Sequence, residues 1–129
     1  MKNILVTGSG GLIGSEAVRF YINLGFNVYG IDNNMRSYFF GENSSVEWNI
    51  KNLEESYKNY NHYSIDIRNR DLVHNLLKEI QFDLIIHAAA QPSHDWAASE
   101  PATDFTINTE GTLILLEGLR LYAKDAVFI

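Results

Sequence analysis

Short runs of apolar, mostly β-branched residues recur along the chain and predict buried strands. Residues 4–6, 28–31, 84–86 and 127–129 are apolar without alternation. Such runs are typical of parallel strands that helices cover on both faces. Residues 62–67 predict one further strand, so the pattern predicts five short strands in all.

Between these runs, apolar residues recur at helical spacing and predict the buried faces of three helices. The three sets are Ile13, Ala17, Phe20 and Leu24; Leu72, Leu76, Leu77 and Ile80; and Phe105, Thr112, Leu115, Leu116 and Leu119. Gly25 is placed to end the first helix, and Pro101 lies where a first helical turn tolerates proline. Residues 53–60 predict a further, shorter helix.

The alternation of strands and helices predicts an α/β fold with a doubly wound parallel sheet, described as Rossmann-like. At 129 residues the chain is long enough for one domain but not for two ordinary ones. In this architecture ligands bind at the carboxyl ends of the strands. The candidate motifs described below all follow predicted strands.

The composition of the chain argues against several classes of binding partner. The formal net charge of −6 argues against a nucleic-acid or anionic-membrane surface, and no apolar stretch approaches the length of a membrane span. The chain has no cysteine, and its first residues lack the pattern of a signal peptide. We therefore expect a cytoplasmic protein. The four histidines lie on different predicted elements without ligand spacing, so no metal site is expected.

The glycine-rich stretch TGSGGLIG, residues 7–14, joins the first predicted strand to the first predicted helix. Gly8 permits a sharp exit from the strand, Gly11 a close approach to a pyrophosphate, and Gly14 close packing of the helix on the sheet. The helix N-terminus then offers free N–H groups to phosphates. No lysine follows Gly14, which excludes a P-loop, and the strict G-x-G-x-x-G spacing also fails. The alternative is that glycine makes only a tight corner here.

An acidic residue at the expected distance favours the phosphate interpretation. Asp32 ends the second predicted strand, 18 residues beyond Gly14. Its carboxylate can accept hydrogen bonds from both ribose hydroxyls of an adenosine, and it would repel a 2′-phosphate. This favours NAD over NADP, although a guanidinium at Arg36 is placed to neutralise such a phosphate. The stretch is thus predicted to hold a dinucleotide.

Four motifs in order along the chain resemble the extended short-chain dehydrogenase/reductase family, which includes the NAD-dependent sugar-nucleotide epimerases and dehydratases. They are Thr7-Gly8-x-x-Gly11-x-Ile13-Gly14, Asp66-Ile67, His87-Ala88-Ala89-Ala90 and Asn108-x-x-Gly111-Thr112. The resemblance implies that Asp66-Ile67 contacts the adenine and that Ala88 to Ala90 form a small-residue wall against the cofactor. It also implies that Asn108 shapes the backbone of the active site.

The full set of cofactor-binding residues that this resemblance implies is Gly8, Gly11, Leu12, Ile13, Asp32, Asn33, Arg36, Asp66, Ile67, Ala88, Ala89, Ala90 and Asn108. Arg68 and Arg70 are expected to be solvated near a helix start. The aromatic run Tyr38-Phe39-Phe40 is interpreted either as a nucleotide or partner surface or as packing for a long loop.

A narrower resemblance concerns the substrate. NNMRSYFFG (33–41) and AAAQPSHDWAASEP (88–101) are similar to the branch of CDP-paratose 2-epimerases, also called CDP-tyvelose epimerases. This branch implies a CDP-sugar substrate that is oxidised to a ketone by tightly held NAD⁺ and then reduced again on the opposite face. Another sugar-nucleotide epimerase or a 4,6-dehydratase remains the alternative. Gln91, Ser93 and His94 are candidates for substrate contact, with a plain loop role as the competing interpretation.

The family's catalytic Tyr-x-x-x-Lys is expected beyond the fifth strand, and no tyrosine of this chain has a lysine four residues later. We therefore expect residues 1–129 to be the N-terminal, NAD-binding part of a longer enzyme, with no catalytic residue of its own. A non-catalytic dinucleotide-binding module is the competing hypothesis. Members of the family usually dimerise through helices, one of which is largely absent here, so the resemblance leaves open whether this piece forms a homo-oligomer.

Overall fold

The computed structural model describes residues 2–129 and contains one parallel sheet of five strands in the order β3-β2-β1-β4-β5. The strands are β1 (Asn3–Thr7), β2 (Asn27–Ile31), β3 (Tyr60–Tyr63), β4 (Leu84–His87) and β5 (Val127–Phe128). All four strand pairings are parallel. The doubly wound α/β fold predicted from the sequence is confirmed.

The helices are α1 (Leu12–Asn23), α2 (Met35–Phe40), α3 (Glu47–Ser56), α4 (Arg70–Glu79), α5 (His94–Ser99), α6 (Pro101–Phe105) and α7 (Gly111–Tyr122). A 3₁₀ turn covers Glu42–Ser44, and a wider π-type turn, Thr106–Glu110, links α6 to α7. Gly25 follows the end of α1 with φ of +86°, and Pro101 opens α6, both as predicted. No helix among the described residues is long and apolar enough to cross a membrane.

The sheet separates two hydrophobic cores because successive strand residues point to opposite faces. Ile4 and Val6 of β1 pack with α1 and α3 on one face. Leu5 of the same strand packs with α4 and α7 on the other. Burial on both faces explains why the strand sequences are continuously apolar.

The predicted buried face of the first helix is wrong. Ile13, Phe20 and Leu24 are 68%, 59% and 57% exposed, whereas Val18 and Ile22 are buried. The helix is apolar on more than one side, and the face that carries Gly14 is the one that can approach the sheet. A Cβ on Gly14 would overlap the carbonyl of Gly8, so this contact decides which apolar face is buried.

Other boundaries and faces also differ from the predictions. β3 ends at Tyr63, so residues 65–67 form the loop after the strand, and the helix predicted over residues 53–60 is α3, which ends at Ser56. Leu72, Phe105 and Leu116 are exposed, although their spacing predicted burial. These side chains lie at the margins of the apolar faces of their helices, where tertiary contacts rather than the helical repeat determine whether a side chain is buried.

Candidate functional site

A cavity of about 270 Å³ lies at the carboxyl edge of the sheet, where the chain order reverses on either side of β1. This reversal is the position at which open α/β sheets bind ligands. Twelve of the thirteen residues predicted to bind a cofactor line it: Gly8, Gly11, Leu12, Ile13, Asp32, Asn33, Arg36, Asp66, Ile67, Ala88, Ala89 and Ala90. The structure thus brings residues from four separate segments of the chain to one place.

Gly8 satisfies two requirements that exclude a side chain. Its φ is +68°, a left-handed conformation that L side chains rarely adopt. An added Cβ would also lie 2.8 Å from the amide nitrogen of Ala89 and 2.9 Å from the carbonyl of Ala88. The turn is anchored to β2, because the N–H groups of Gly8 and Ser9 both donate to the carbonyl of Ile31, at 2.7 and 3.2 Å.

The N-terminus of α1 faces the cavity without a side-chain cap from any described residue and without an acidic residue in its first turn. Leu12 and Ile13 occupy that turn, where backbone N–H groups have no partner within the helix. Gly11 adjoins them with φ of −72°, and a Cβ there would meet only the Gly8 carbonyl, at 3.3 Å. The free N–H groups at the start of α1 and the open space beside Gly11 suit the binding of an anionic group such as a pyrophosphate.

Asp32 is fixed by the backbone. One carboxylate oxygen accepts the N–H of Gly10 at 3.0 Å, and the other accepts the N–H of Asn34 at 2.8 Å. A carboxylate has about four acceptor positions, so capacity for ligand hydroxyls remains. Arg36 also lines the cavity, but its guanidinium lies over the ring of Phe40, 5.0 Å from the centroid.

Asp66 is paired with Arg68, which corrects the expectation that this arginine is merely solvated. The guanidinium Nε lies 3.0 Å from Oδ1, and a terminal nitrogen lies 2.6 Å from Oδ2. Burial raises the pKa of Asp66, but the hydrogen bonds and charge of Arg68 outweigh it and hold the pKa below its ordinary value. The carboxylate that lines the cavity is therefore ionised and held in position.

His87, at the end of β4, is held in one tautomer. The Thr112 hydroxyl donates to the Asn108 carbonyl at 2.7 Å, so it accepts from Nε2–H of His87, 3.0 Å away. Nδ1 is then an acceptor, and the Thr7 hydroxyl donates to it at 2.7 Å. The Thr7 oxygen also accepts the N–H of Ala89 at 3.2 Å. Burial lowers the pKa of His87, which favours this neutral form.

Asn108 lies outside the cavity lining but fixes its wall. Its Oδ1 accepts the N–H of Gln91 at 2.8 Å, and its Nδ2 donates to the Gln91 carbonyl at 3.1 Å and to Asp104 at 3.0 Å. The side-chain amide of Asn108 thus forms hydrogen bonds with both the backbone N–H and the backbone carbonyl of Gln91. Together with Thr7 and His87, it fixes both ends of the wall formed by residues 88–90.

The three substrate candidates lie beside the cavity rather than on its lining. Gln91 is buried, and its amide donates to Asp104 at 2.9 Å. Ser93 caps α5 by accepting the N–H of Trp96 at 3.3 Å, and His94 is exposed in the first turn of that helix. Their role toward a substrate stays a prediction.

Several supports of the glycine turn were missed by the sequence reasoning. The Tyr60 hydroxyl donates to the buried Ser9 hydroxyl at 2.9 Å, and burial raises the pKa of Tyr60 to about 12. Asn49 of α3 donates to the Gly10 carbonyl at 2.9 Å. Asn49 adjoins Ile50 on the apolar face of its helix, and a polar residue there is a signal for a buried partner. Tyr60 and Ser9 carry no comparable signal.

Comparison with known proteins agrees with this geometry. A model of the NAD dependent epimerase/dehydratase family matches residues 4–129. The chain is 32% identical over 117 residues to a UDP-glucose 4-epimerase of Drosophila melanogaster, covering 90% of this chain and 33% of that protein. It is also 32% identical over 126 residues to the CDP-paratose 2-epimerase of Salmonella typhi, covering 98% and 35%.

A solved structure shares the fold. The UDP-glucose 4-epimerase of Thermus thermophilus in complex with NAD superposes with a TM-score of 0.74 at 29% identity, covering 93% of this chain and 34% of that one. The chain therefore spans about one third of the length of the relatives it matches.

The fold defines a Rossmann-like α/β domain, and its cavity lies where such sheets bind ligands. The chain belongs to the NAD dependent epimerase/dehydratase family.

Proposed function

We propose that this chain is the NAD-binding part, residues 1–129, of a nucleotide-sugar epimerase, and that its substrate is a CDP-linked sugar as in the CDP-paratose 2-epimerases. The observation that supports cofactor binding most strongly is the meeting of an uncapped helix N-terminus, an open glycine and a fixed aspartate in one cavity. NAD⁺, when bound, supplies the hydride acceptor and returns the hydride later.

Each residue has a proposed part in binding. The N–H groups of Leu12 and Ile13 bind the pyrophosphate, and Gly11 leaves room for it. Asp32 accepts the ribose hydroxyls of the adenosine. In this proposal Asp66 and Ile67 contact the adenine, and the wall of residues 88–90 borders the rest of the dinucleotide.

The chemistry of the sugar requires residues that this chain does not supply. An acid/base that removes a proton from a sugar hydroxyl during hydride transfer is expected as the family's Tyr-x-x-x-Lys, a motif that does not occur in residues 1–129. The role proposed for residues 1–129 is to bind and orient the cofactor so that one face of its nicotinamide is available.

Calorimetric titration of the chain with NAD⁺ and with NADP⁺, preceded by mass analysis of any retained nucleotide, tests the cofactor assignment. We expect NAD⁺ to bind and NADP⁺ to bind more weakly, because Asp32 would repel a 2′-phosphate. Gly11→Val, which places a side chain in the phosphate approach, is the matched negative control. A folded chain that binds neither nucleotide would refute the proposal.

UDP-sugars form a second candidate substrate class, because the UDP-glucose 4-epimerase of Drosophila melanogaster is as similar in identity as the CDP-paratose 2-epimerase. Epimerisation of CDP- and UDP-sugars by the protein encoded by the complete gene separates the two. Turnover of UDP-hexoses alone would refute the CDP assignment while leaving the NAD assignment intact.

A further inference from the structure

Two short segments meet above the cavity although they follow strands that are not neighbours. α2 comes after β2 and α5 after β4, and β1 lies between these two strands in the sheet. Any contact between α2 and α5 therefore passes over the glycine turn at the end of β1. We call the contact formed by Tyr38, Phe39 and Trp96 the aromatic bridge.

The aromatic bridge combines a hydrogen bond with ring packing. The indole Nε1–H of Trp96 donates to the backbone carbonyl of Phe39 at 3.0 Å. The Trp96 ring lies 5.4 Å from the Phe39 ring, nearly edge to face, and 5.1 Å from the Tyr38 ring. Phe39 lines the cavity and is 9% exposed, whereas Trp96 packs behind it and does not reach the lining.

The two sides of the bridge differ in how firmly they are held. On the α5 side, the Ser93 hydroxyl caps the helix at Trp96, and the Gln91 side chain is tied to Asp104. Both helices have only six residues, but on the other side α2 also lacks a side-chain cap. Helices of that length are not stable by themselves, so α2 depends on tertiary contacts. Trp96 is the contact that joins it to the firmer side.

We propose that Trp96 is a positioning residue for the cofactor: it holds Phe39 and α2 as a wall across the Asp32 side of the cavity, and this wall packs against the bound dinucleotide and slows its release. The inference rests on the proposed function. It adds a determinant of cofactor retention that does not itself touch the cofactor.

A purely structural role for Trp96 makes a different prediction. In that case its replacement lowers stability but changes the rates of association and release no more than any equally destabilising change. If Trp96 instead holds a retaining wall, its replacement makes release faster while association changes little, because the contact between the wall and the dinucleotide exists only in the bound state.

The test measures association and release of NADH by stopped flow for the unchanged chain, Trp96→Phe and Trp96→Ala. Trp96→Phe keeps a ring but removes the N–H donor, and we expect release to be roughly threefold to tenfold faster, the factor for one neutral hydrogen bond. Trp96→Ala removes the ring as well and is expected to release NADH faster still, by more than about tenfold. Association is expected to stay within about twofold, since the contact between Phe39 and the dinucleotide forms only after the encounter.

The second tryptophan is the matched control. Trp48 lies on α3 and is 71% exposed, so Trp48→Phe should leave both rate constants unchanged. It also provides a spectroscopic comparison in the protein without nucleotide. In that state the indole N–H of Trp96 should exchange with solvent much more slowly than that of Trp48, because only Trp96 donates to a carbonyl.

The outcomes separate the two proposals. If the unchanged chain binds no NADH, the proposed function and this inference both fail. If it binds NADH but the Trp96 variants, shown to be folded by circular dichroism, release it at the unchanged rate, only the inference fails. Rapid exchange of the Trp96 indole N–H also overturns it. Should Trp96→Ala fail to fold, the release rate of Trp96→Phe decides.

Discussion

Two glycines of the same turn are expected to respond to substitution in opposite ways. Gly14 is required by the fold, because a Cβ there would overlap the backbone carbonyl of Gly8. Under the proposed function Gly11 is required by the ligand, because its Cβ would enter the cavity; its single protein neighbour there, the same carbonyl at 3.3 Å, needs to shift by only a few tenths of an ångström. Replacing each by alanine therefore separates folding from binding.

The magnitudes follow from what each methyl group contacts. At Gly14 the overlap is with backbone, so no rotamer relieves it, and α1 must move away from the sheet on which it buries Val18 and Ile22. Overpacking of this kind costs about 1–3 kcal/mol. At Gly11, alanine is a poorer N-cap than glycine, which lowers stability, but it also makes the unfolded chain less flexible, which raises stability. The two effects oppose each other, so the net change in stability is within about 1 kcal/mol.

Urea unfolding and calorimetric titration with NAD⁺ measure the two effects. We expect Gly14→Ala to lower the free energy of unfolding by at least about 1 kcal/mol. Gly11→Ala is expected to unfold near the parent midpoint but to bind NAD⁺ at least about tenfold more weakly, equivalent to ~1.4 kcal/mol. The reasoning is refuted if Gly14→Ala is as stable as Gly11→Ala, or if Gly11→Ala binds NAD⁺ like the parent.

Three further predictions concern side chains around the site. Asp32→Ala should weaken NAD⁺ by roughly 1.5–3 kcal/mol and also lower stability by about 1–3 kcal/mol, because two backbone N–H groups lose their acceptor; unchanged affinity in titration would contradict the ribose assignment. Burial lowers the pKa of His87 and of His62, so the unfolded chain takes up protons more readily than the folded chain. The free energy of unfolding should therefore be highest above about pH 6.5 and fall as the pH drops below it. A melting temperature that rises on acidification through this range would contradict this prediction. Tyr60→Phe removes the donor to buried Ser9 and should cost about 1–3 kcal/mol in urea unfolding, and an unchanged midpoint would show that this bond contributes nothing.

The parts of the fold that the sequence predicted correctly are those that depend on near neighbours. A strand buried on both faces must be apolar at every position, so four of the five strands were visible as short runs. The glycine turn was visible because the strand before it and the helix after it set its context. The cavity lining followed, since parallel strands bring their carboxyl ends to one edge.

The predictions failed where burial or pairing depends on a contact that the helix and strand periods do not describe. Residues 13, 17, 20 and 24 and residues 14, 18 and 22 both form helical rows on α1, and the apolar period alone does not rank them. The row that contains Gly14 is buried because the turn carbonyl of Gly8 lies against it. Asp66 and Arg68 pair across a loop, at a spacing for which helix and strand periods give no rule.

Contacts within the chain hold the glycine turn in place in the absence of a ligand. The Gly10 peptide is held on both sides: its N–H donates to Asp32, and its carbonyl accepts from Asn49. Ser9, one residue earlier, is held by Tyr60. A turn fixed by three other elements loses little conformational freedom on binding, which lowers the entropic cost of association. This explains how an acidic chain with no lysine in the turn can present the anion site proposed above: the donors would be backbone groups in fixed positions, and their arrangement would replace a positive side chain.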